Sequence, residues 1–195
     1  MKVLSICGSP RKGNSEAILN RLKQIFEKKG VENKIILLRE ENIQRCNGCV
    51  EYCNRNLKCH HKDDMAKIMQ KLLEADGYVF VLPNYFGMPP GLFKDFIDKC
   101  SIFYTAQTDL SSKRAIVISV GTDLLFIKEN VRNIAKNFCE TLGIKVVATG
   151  SFVSRSELKG NYNDIFENKL NPKIEKELED MAEKLYKSIK DINRA

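Results

Sequence analysis

Val3-Leu4-Ser5-Ile6-Cys7-Gly8-Ser9-Pro10-Arg11-Lys12-Gly13-Asn14-Ser15 is the stretch whose reading decides the fold. Val3-Leu4-Ser5-Ile6 is a short apolar run with β-branched residues, the character of a buried strand. It passes through a bend flanked by glycines and enters an amphipathic helix from about Ser15 to Lys29, which Gly30 is placed to stop. Strand, glycine-containing loop and helix in that order form the opening unit of an α/β chain.

Four later runs share the character of the first strand. They are Lys34-Ile35-Ile36-Leu37-Leu38, Tyr78-Val79-Phe80-Val81-Leu82, Ala115-Ile116-Val117-Ile118-Ser119-Val120 and Lys145-Val146-Val147-Ala148-Thr149. All are apolar on both faces, as parallel strands covered by helices on both sides must be. Helical patterns fill the gaps. One follows Asp63-Asp64, whose carboxylates suit a helix N-terminus, and reaches about Ala75; another covers about Pro90 to Phe103. A third carries the stripe Ile127, Val131, Ile134, Phe138 and Leu142 and ends at Gly143. The last begins after Pro172 with Ile174, Leu178, Met181, Leu185 and Ile189 at helical spacing. This alternation predicts a doubly wound α/β sandwich with its ligand site beyond the carboxyl ends of the strands.

Composition narrows the class. A length of 195 residues predicts a single domain over 1–195, with a cysteine-rich loop at about 40–62 as its one long irregular stretch. Hydrophobic residues at 43% and charged residues at 29% exclude disordered, collagenous and low-complexity chains. No apolar run approaches the ~18 residues of a membrane span, and the apolar N-terminal stretch is too short for a signal peptide. The expectation is a cytoplasmic protein without membrane contact. The net charge of +7 comes from lysines scattered along helices rather than a stripe, so nucleic acid is not an expected partner. Four of the seven cysteines crowd between Cys46 and Cys59, which in a reducing compartment favours metal or redox chemistry over disulfides.

The first loop has the makings of an anion site. Free amides at a helix start point at a ligand there, and the helix dipole favours negative charge. Ser9, Asn14 and Ser15 add hydrogen-bond donors, Gly13 keeps the bend tight, and Arg11 offers a charge-assisted bond. Asn14 stands where a nucleotide-hydrolysing P-loop has its lysine, and no G-x-G-x-x-G follows. A single phosphate monoester such as that of FMN suits this loop better than a nucleotide triphosphate or a dinucleotide.

The third strand runs into Pro83-Asn84-Tyr85-Phe86-Gly87-Met88-Pro89-Pro90-Gly91-Leu92-Phe93-Lys94-Asp95-Phe96-Ile97-Asp98. Tyr85 and Phe86 offer flat faces at the same sheet edge, where backbone amides could bond to the edge of a flat ring. Gly121-Thr122-Asp123, after the fourth strand, gives a third loop there.

With both loops in view, the chain resembles the NAD(P)H-dependent FMN reductase family of flavodoxin-like proteins. The resemblance rests on Gly8 through Ser15 and Pro83 through Asp98 in their order and spacing. It implies a five-stranded parallel sheet of order 2-1-3-4-5. It also implies FMN at the strand ends and a homodimer or dimer of dimers whose flavin sites touch the subunit interface. It assigns the phosphate to Ser9, Arg11, Asn14 and Ser15. The isoalloxazine falls to Pro83, Asn84, Tyr85, Phe86 and Gly87, with Gly121 nearby.

Cys46, Cys49, Cys53 and Cys59 are spaced closely enough for four thiolates to ligate a [4Fe–4S] cluster or a zinc ion. The spacing also allows unligated thiols or a disulfide. The pattern resembles the compact cysteine motif of the iron-sulfur flavoproteins, a branch of the same family with C-x2-C-x2-C at its core. Here the second gap holds three residues, Val50-Glu51-Tyr52. His60 and His61 read as exposed loop residues, and Cys7, Cys100 and Cys139 as small core residues.

Two functions follow. In one, an FMN enzyme takes hydride from NAD(P)H and passes electrons to a flavin, a quinone or another small-molecule or protein redox partner. The flavin carries the chemistry, so no catalytic side chain is expected. In the other, a [4Fe–4S] cluster exchanges single electrons with FMN and NAD(P)H plays no part. A zinc-stabilised binding module is a third reading, which leaves both ligand loops unexplained.

Overall fold

A computed structural model describes residues 1–155, 164–166 and 171–192. The chain runs β1 (Lys2–Cys7), α1 (Asn14–Lys28), β2 (Glu32–Leu37), a 3₁₀ turn (Leu38–Glu40), α2 (Val50–Asn56) and α3 (Met65–Glu74). It continues β3 (Gly77–Pro83), α4 (Gly91–Thr105), β4 (Arg114–Gly121), α5 (Leu124–Asn133), β5 (Lys145–Val153) and α6 (Pro172–Ile192). The five strands are parallel, in the order β2-β1-β3-β4-β5. This is the flavodoxin-like arrangement. From β1 the chain winds outward to β2 and then crosses to the other side of β1 to make β3. The loops leaving β1 and β3 therefore diverge and open a crevice between them.

Alternate side chains of each central strand enter two apolar layers. Leu4, Ile6, Tyr78, Phe80, Ala115 and Val117 pack with α3, α4 and α5. Val3, Val79, Val81, Ile116 and Ile118 pack with α1 and α6. Burial on both faces is why these strands read as unbroken apolar runs. The Phe80 ring lies 6.1 Å from Phe93, 6.4 Å from Phe96 and 5.7 Å from Phe138, which fastens α4 to the sheet just behind the crevice.

Three segments depart from the sequence reading. β5 continues to Val153, past the expected end at Thr149. Gly150 looks like a turn residue, but a β-carbon there would come within 2.9 Å of Met181 Cε. The glycine serves close packing of α6 on the strand. The stripe from Ile127 to Leu142 has spacings slightly longer than an α-helical repeat. The chain accordingly widens after α5 into a π-helical turn (Ile134–Cys139) and a 3₁₀ turn (Glu140–Leu142), which keeps Ile134, Phe138 and Cys139 buried. The stretch expected to be irregular contains α2, a seven-residue helix that buries none of its side chains.

Candidate functional site

Parallel strands place every β-to-α loop on one edge of the sheet. The loops leaving β1, β3 and β4 meet at the crevice there. A cleft at this point is lined by Ser9, Arg11, Gly13, Asn14, Ser15, Pro83 and Val120. Six of these come from the expected cofactor residues. Val120 was not anticipated, because a valine near the end of a strand carries no polar signal.

Side-chain bonding separates the duties within the first loop. The Ser9 hydroxyl donates to the Arg11 carbonyl at 2.7 Å and accepts from the Arg11 amide at 3.3 Å, so it shapes the bend. The Asn14 side-chain amide donates to Ser154 Oγ at 2.9 Å and to Asp164 Oδ1 at 2.6 Å, and its carbonyl accepts from the Ile165 amide at 3.3 Å. Ser154 Oγ in turn donates to Asp164 Oδ1 at 2.7 Å. The Asn14 side chain thus ties the start of α1 to the chain after β5 while the residue also lines the cleft. The donors lining the cleft for an anion are then the first-turn amides of α1, the Ser15 hydroxyl and the Arg11 guanidinium. Ser154 and Asp164 lie in no motif, and only the folded chain brings them to Asn14.

The second loop is a tight reversal. Tyr85 and Met88 exchange amide-to-carbonyl bonds, both 3.0 Å long. Phe86 (φ +53°) and Gly87 (φ +79°) occupy the two central positions of what is a type I′ turn. A phenylalanine in the left-handed region is unusual, and Phe86 is also 90% exposed. Asn84 braces the turn: its backbone amide donates to the Val120 carbonyl at 2.7 Å, and its side-chain oxygen accepts from the Gly87 amide at 2.9 Å. From α5, Asn130 donates to the Pro83 carbonyl and Asn133 to the Gly87 carbonyl, both at 3.3 Å. Gly121 closes β4 beside the loop, and its carbonyl accepts from the Ser154 amide at 2.7 Å. Phosphate donors at one end and exposed flat side chains at the other fit a phosphorylated molecule that ends in an aromatic ring.

The cysteine-rich segment leaves β2 at the same edge. Cys49 precedes α2 and Cys53 lies within it, so the three-residue gap puts them one helical turn apart on one face. Their sulfurs are 3.7 Å apart. The Cys53 thiol is pushed up to about 11, first by partial desolvation, then by its hydrogen bond with and charge repulsion from Cys49, and by repulsion from Cys59 and Cys46. Cys49 and Cys53 thus form a pair in contact. No disulfide joins them. Among the described residues no three metal-binding side chains stand at common ligating distance. In kind, four thiols suit a thiophilic metal or cluster; in position, the described residues do not bring three of them together at ligating distance.

Both histidines lie in the loop after α2, His60 exposed as expected and His61 half-buried. His60 Nδ1 lies 3.1 Å from Cys49 Sγ. His61 Nδ1 accepts from the Lys99 ammonium at 3.1 Å. His61 is held below the usual imidazole range by burial, then by the charges of Lys99 and His60, with Asp63 opposing them. Lys99, on α4, also pairs with Asp63. By contrast, Cys7, Cys100 and Cys139 are buried, and burial raises all three thiols, Cys7 to about 11. They are core residues.

The sequence of residues 1–159 matches the model of a family described as NADPH-dependent FMN reductase. The chain is 30% identical over 151 residues to an iron-sulfur flavoprotein of Archaeoglobus fulgidus, covering 77% of each chain. Among solved structures, a flavone reductase superposes with a TM-score of 0.71 at 20% identity, over 100% of this chain and 65% of that one. An FMN-dependent NADH-azoreductase from Bacillus anthracis in complex with FMN gives a TM-score of 0.68 at 18% identity, over 95% and 99% of the two chains. These likenesses extend the fold over nearly the whole chain. With the sheet order and the cleft at its switch point, they establish that the chain belongs to the NADPH-dependent FMN reductase family of flavin-dependent oxidoreductases.

Proposed function

We propose that the chain binds FMN in the cleft beyond β1 and β3 and moves electrons between NAD(P)H, or a reduced carrier, and an acceptor. In this reading a [4Fe–4S] cluster is held by Cys46, Cys49, Cys53 and Cys59. The observation that carries it is the placement of a glycine-flanked helix start lined by Arg11 and Ser15, an aromatic-tipped turn and a cysteine-rich segment along one sheet edge. The iron-sulfur flavoprotein relative supports the cluster over zinc. No helix among the described residues is long and apolar enough to cross a membrane, and reduced thiols suit a cytoplasmic setting.

The chain's own residues bind and orient. The amides of the first turn of α1, Ser15 and Arg11 hold the phosphate by fixed charge and dipole. The amides of Asn84, Tyr85 and Gly87 are bonded within the protein, so the Phe86 amide is the one in this turn placed to meet the polar edge of the ring, while the Tyr85 and Phe86 side chains cover its face. Bound FMN supplies hydride chemistry and exchange of single electrons, and a thiolate-held cluster supplies single-electron transfer. No acid or base side chain is assigned to the reaction. Exposed Tyr85, Phe86, Met88, Leu124 and Leu125 beside the cleft support assembly as a homodimer or tetramer around the flavin, leaving small-molecule or protein redox partners to approach from outside.

Anaerobic purification, a visible spectrum and an iron assay test this. Flavin peaks, broad absorption that bleaches with dithionite and roughly four irons per chain are expected. Flavin with NAD(P)H oxidation but no iron would leave a plain reductase. Zinc without flavin would overturn the reading.

A further inference from the structure

We propose that Asn130 and Asn133, neighbours one turn apart on α5, are positioning residues for the ring-binding turn and fix where its Phe86 amide stands. The inference rests on the FMN reading above and deepens it by naming the residues that set the ring end of the site. Asn130 is fully buried, and its side-chain amide donates to the Pro83 carbonyl at 3.3 Å and to Ser119 Oγ at 3.0 Å. Pro83 stands opposite Val120 at the last step of the ladder between β3 and β4. One side chain therefore pins the ends of both strands where their loops leave the sheet. Asn133 donates to the Gly87 carbonyl at 3.3 Å, on the far side of the turn.

The helix fits the turn closely. A β-carbon on Gly87 would meet Glu129 Oε2 at 2.9 Å, and one on Gly121 would meet Asn84 Cβ at 3.0 Å and Ile127 Cγ1 at 3.2 Å. Helix α5 is itself fixed at its start by Asp123, which accepts from the Leu125 and Phe126 amides at 2.8 and 3.2 Å. Within the turn, the amides of Asn84, Tyr85, Gly87 and Met88 are all bonded to protein oxygens, and that of Phe86 is not. Phe86 carries that amide at φ +53°, a left-handed conformation that a residue other than glycine keeps only where its surroundings impose it. The bonds from α5 to Pro83 and Gly87, on either side of Phe86, supply that constraint.

Stability does not explain the asparagine at 130. Its neighbours on the buried face of α5 are the apolar Ile127 and Val131. Asn130 Oδ1 is buried and has no hydrogen-bond partner among the described residues. An orphaned buried carbonyl oxygen lowers stability. Leucine has the same branched shape without that oxygen. What leucine lacks is the donor to Pro83, so the residue type at this position serves the geometry of the turn.

The test uses full-length apo-protein, with Asn130→Leu and Asn133→Ala beside the parent. FMN affinity is read by fluorescence quenching, and the phosphate end alone is read by competition of inorganic phosphate against FMN. Asn130→Leu should weaken FMN about fivefold to tenfold, the worth of one well-placed hydrogen bond, and Asn133→Ala about threefold. Inhibition by phosphate should stay within about twofold of the parent in both, because Arg11, Ser15 and the first turn of α1 are untouched. A residue that merely holds the fold together would weaken both ligands alike. An unchanged FMN affinity in folded Asn130→Leu overturns the inference. If that variant does not fold, an unchanged affinity in Asn133→Ala, which alters a half-buried side chain, overturns it instead. FMN and phosphate weakening together also overturns it. A parent that binds no FMN, or whose FMN is not displaced by phosphate, fails at the earlier step, and the reading of the cleft falls with the inference.

Discussion

Lys99 on α4 and Asp63 at the end of the cysteine-rich segment form an ion pair with side-chain exposures of only 1% and 0%. Arg45 reaches Asp95 on the same helix at 3.2 Å. Helix α4 starts directly after the aromatic-tipped turn, so one rigid element positions both the candidate flavin loop and the thiols.

Breaking that pair on one side should be costly. Lys99→Met leaves the Asp63 carboxylate buried without its partner, and a loss of about 3–5 kcal/mol is expected in urea unfolding. Asp63→Asn combined with Lys99→Met removes both charges and should recover a large part of the loss. If the double variant is no more stable than the single, the pair is not what holds the segment.

The same pair sets an acid dependence. Burial raises the Asp63 carboxyl, but hydrogen bonds from Lys99, Gln44 and Met65 and the Lys99 charge outweigh it, and the net direction is down. A carboxyl lowered on folding contributes stability above its unfolded value of about 3.9 and loses it as pH falls through the folded value. Parent stability should therefore drop below about pH 4 more steeply than that of the Asp63→Asn, Lys99→Met double variant. Parallel acid titrations followed by circular dichroism would decide this.

Arg11→Ala removes a charged donor from the cleft. FMN affinity should weaken by about 1.5–3 kcal/mol, the range for a hydrogen bond to a charged group. Calorimetric titration of apo-protein measures it, and an unchanged affinity would place the phosphate elsewhere.

Asn14→Ala cuts the tether from α1 to Ser154, Asp164 and Ile165. Leaving these groups unpaired should cost about 1–3 kcal/mol of stability. FMN affinity should fall less than with Arg11→Ala, because the amide of residue 14 is retained. The two losses separate a structural asparagine from a phosphate ligand.

Phe86→Asn places at the left-handed position of the turn a residue that tolerates it. The apo-protein should gain about 0.5–1 kcal/mol, since the exposed phenylalanine contributes strain and little burial. FMN binding should weaken at the same time. Gain without weakening would show that the ring does not cover the flavin.

The strands and the first loop were legible because their physics is local. A run such as Tyr78 to Leu82 reads as a doubly covered strand from its own residues, and Gly8 to Ser15 reads as an anion site from its donors and its place before a helix. The extent of β5 was not legible, because Gly150 carries a turn signal whose actual cause is Met181 on another element. Helix α2 was missed because it has no apolar stripe, and none of its side chains is buried. The bracing partners of Asn14 are illegible for a similar reason: Asn14 lines the cleft as its place in the loop predicts, while Ser154 and Asp164 reach it only after the chain has wound through five strands.

Sequence alone settled the strands, their parallel direction and the sheet edge at which the glycine-containing loops gather, because periodicity and strand–loop–helix order are written in neighbouring residues. Tertiary structure decided which polar side chains line the cleft and which brace the fold. It also decided that His60 stands against Cys49 and that Lys99 lies buried against His61 and Asp63. Such pairings depend on contacts between residues far apart in the chain, and no local pattern of residue types encodes them.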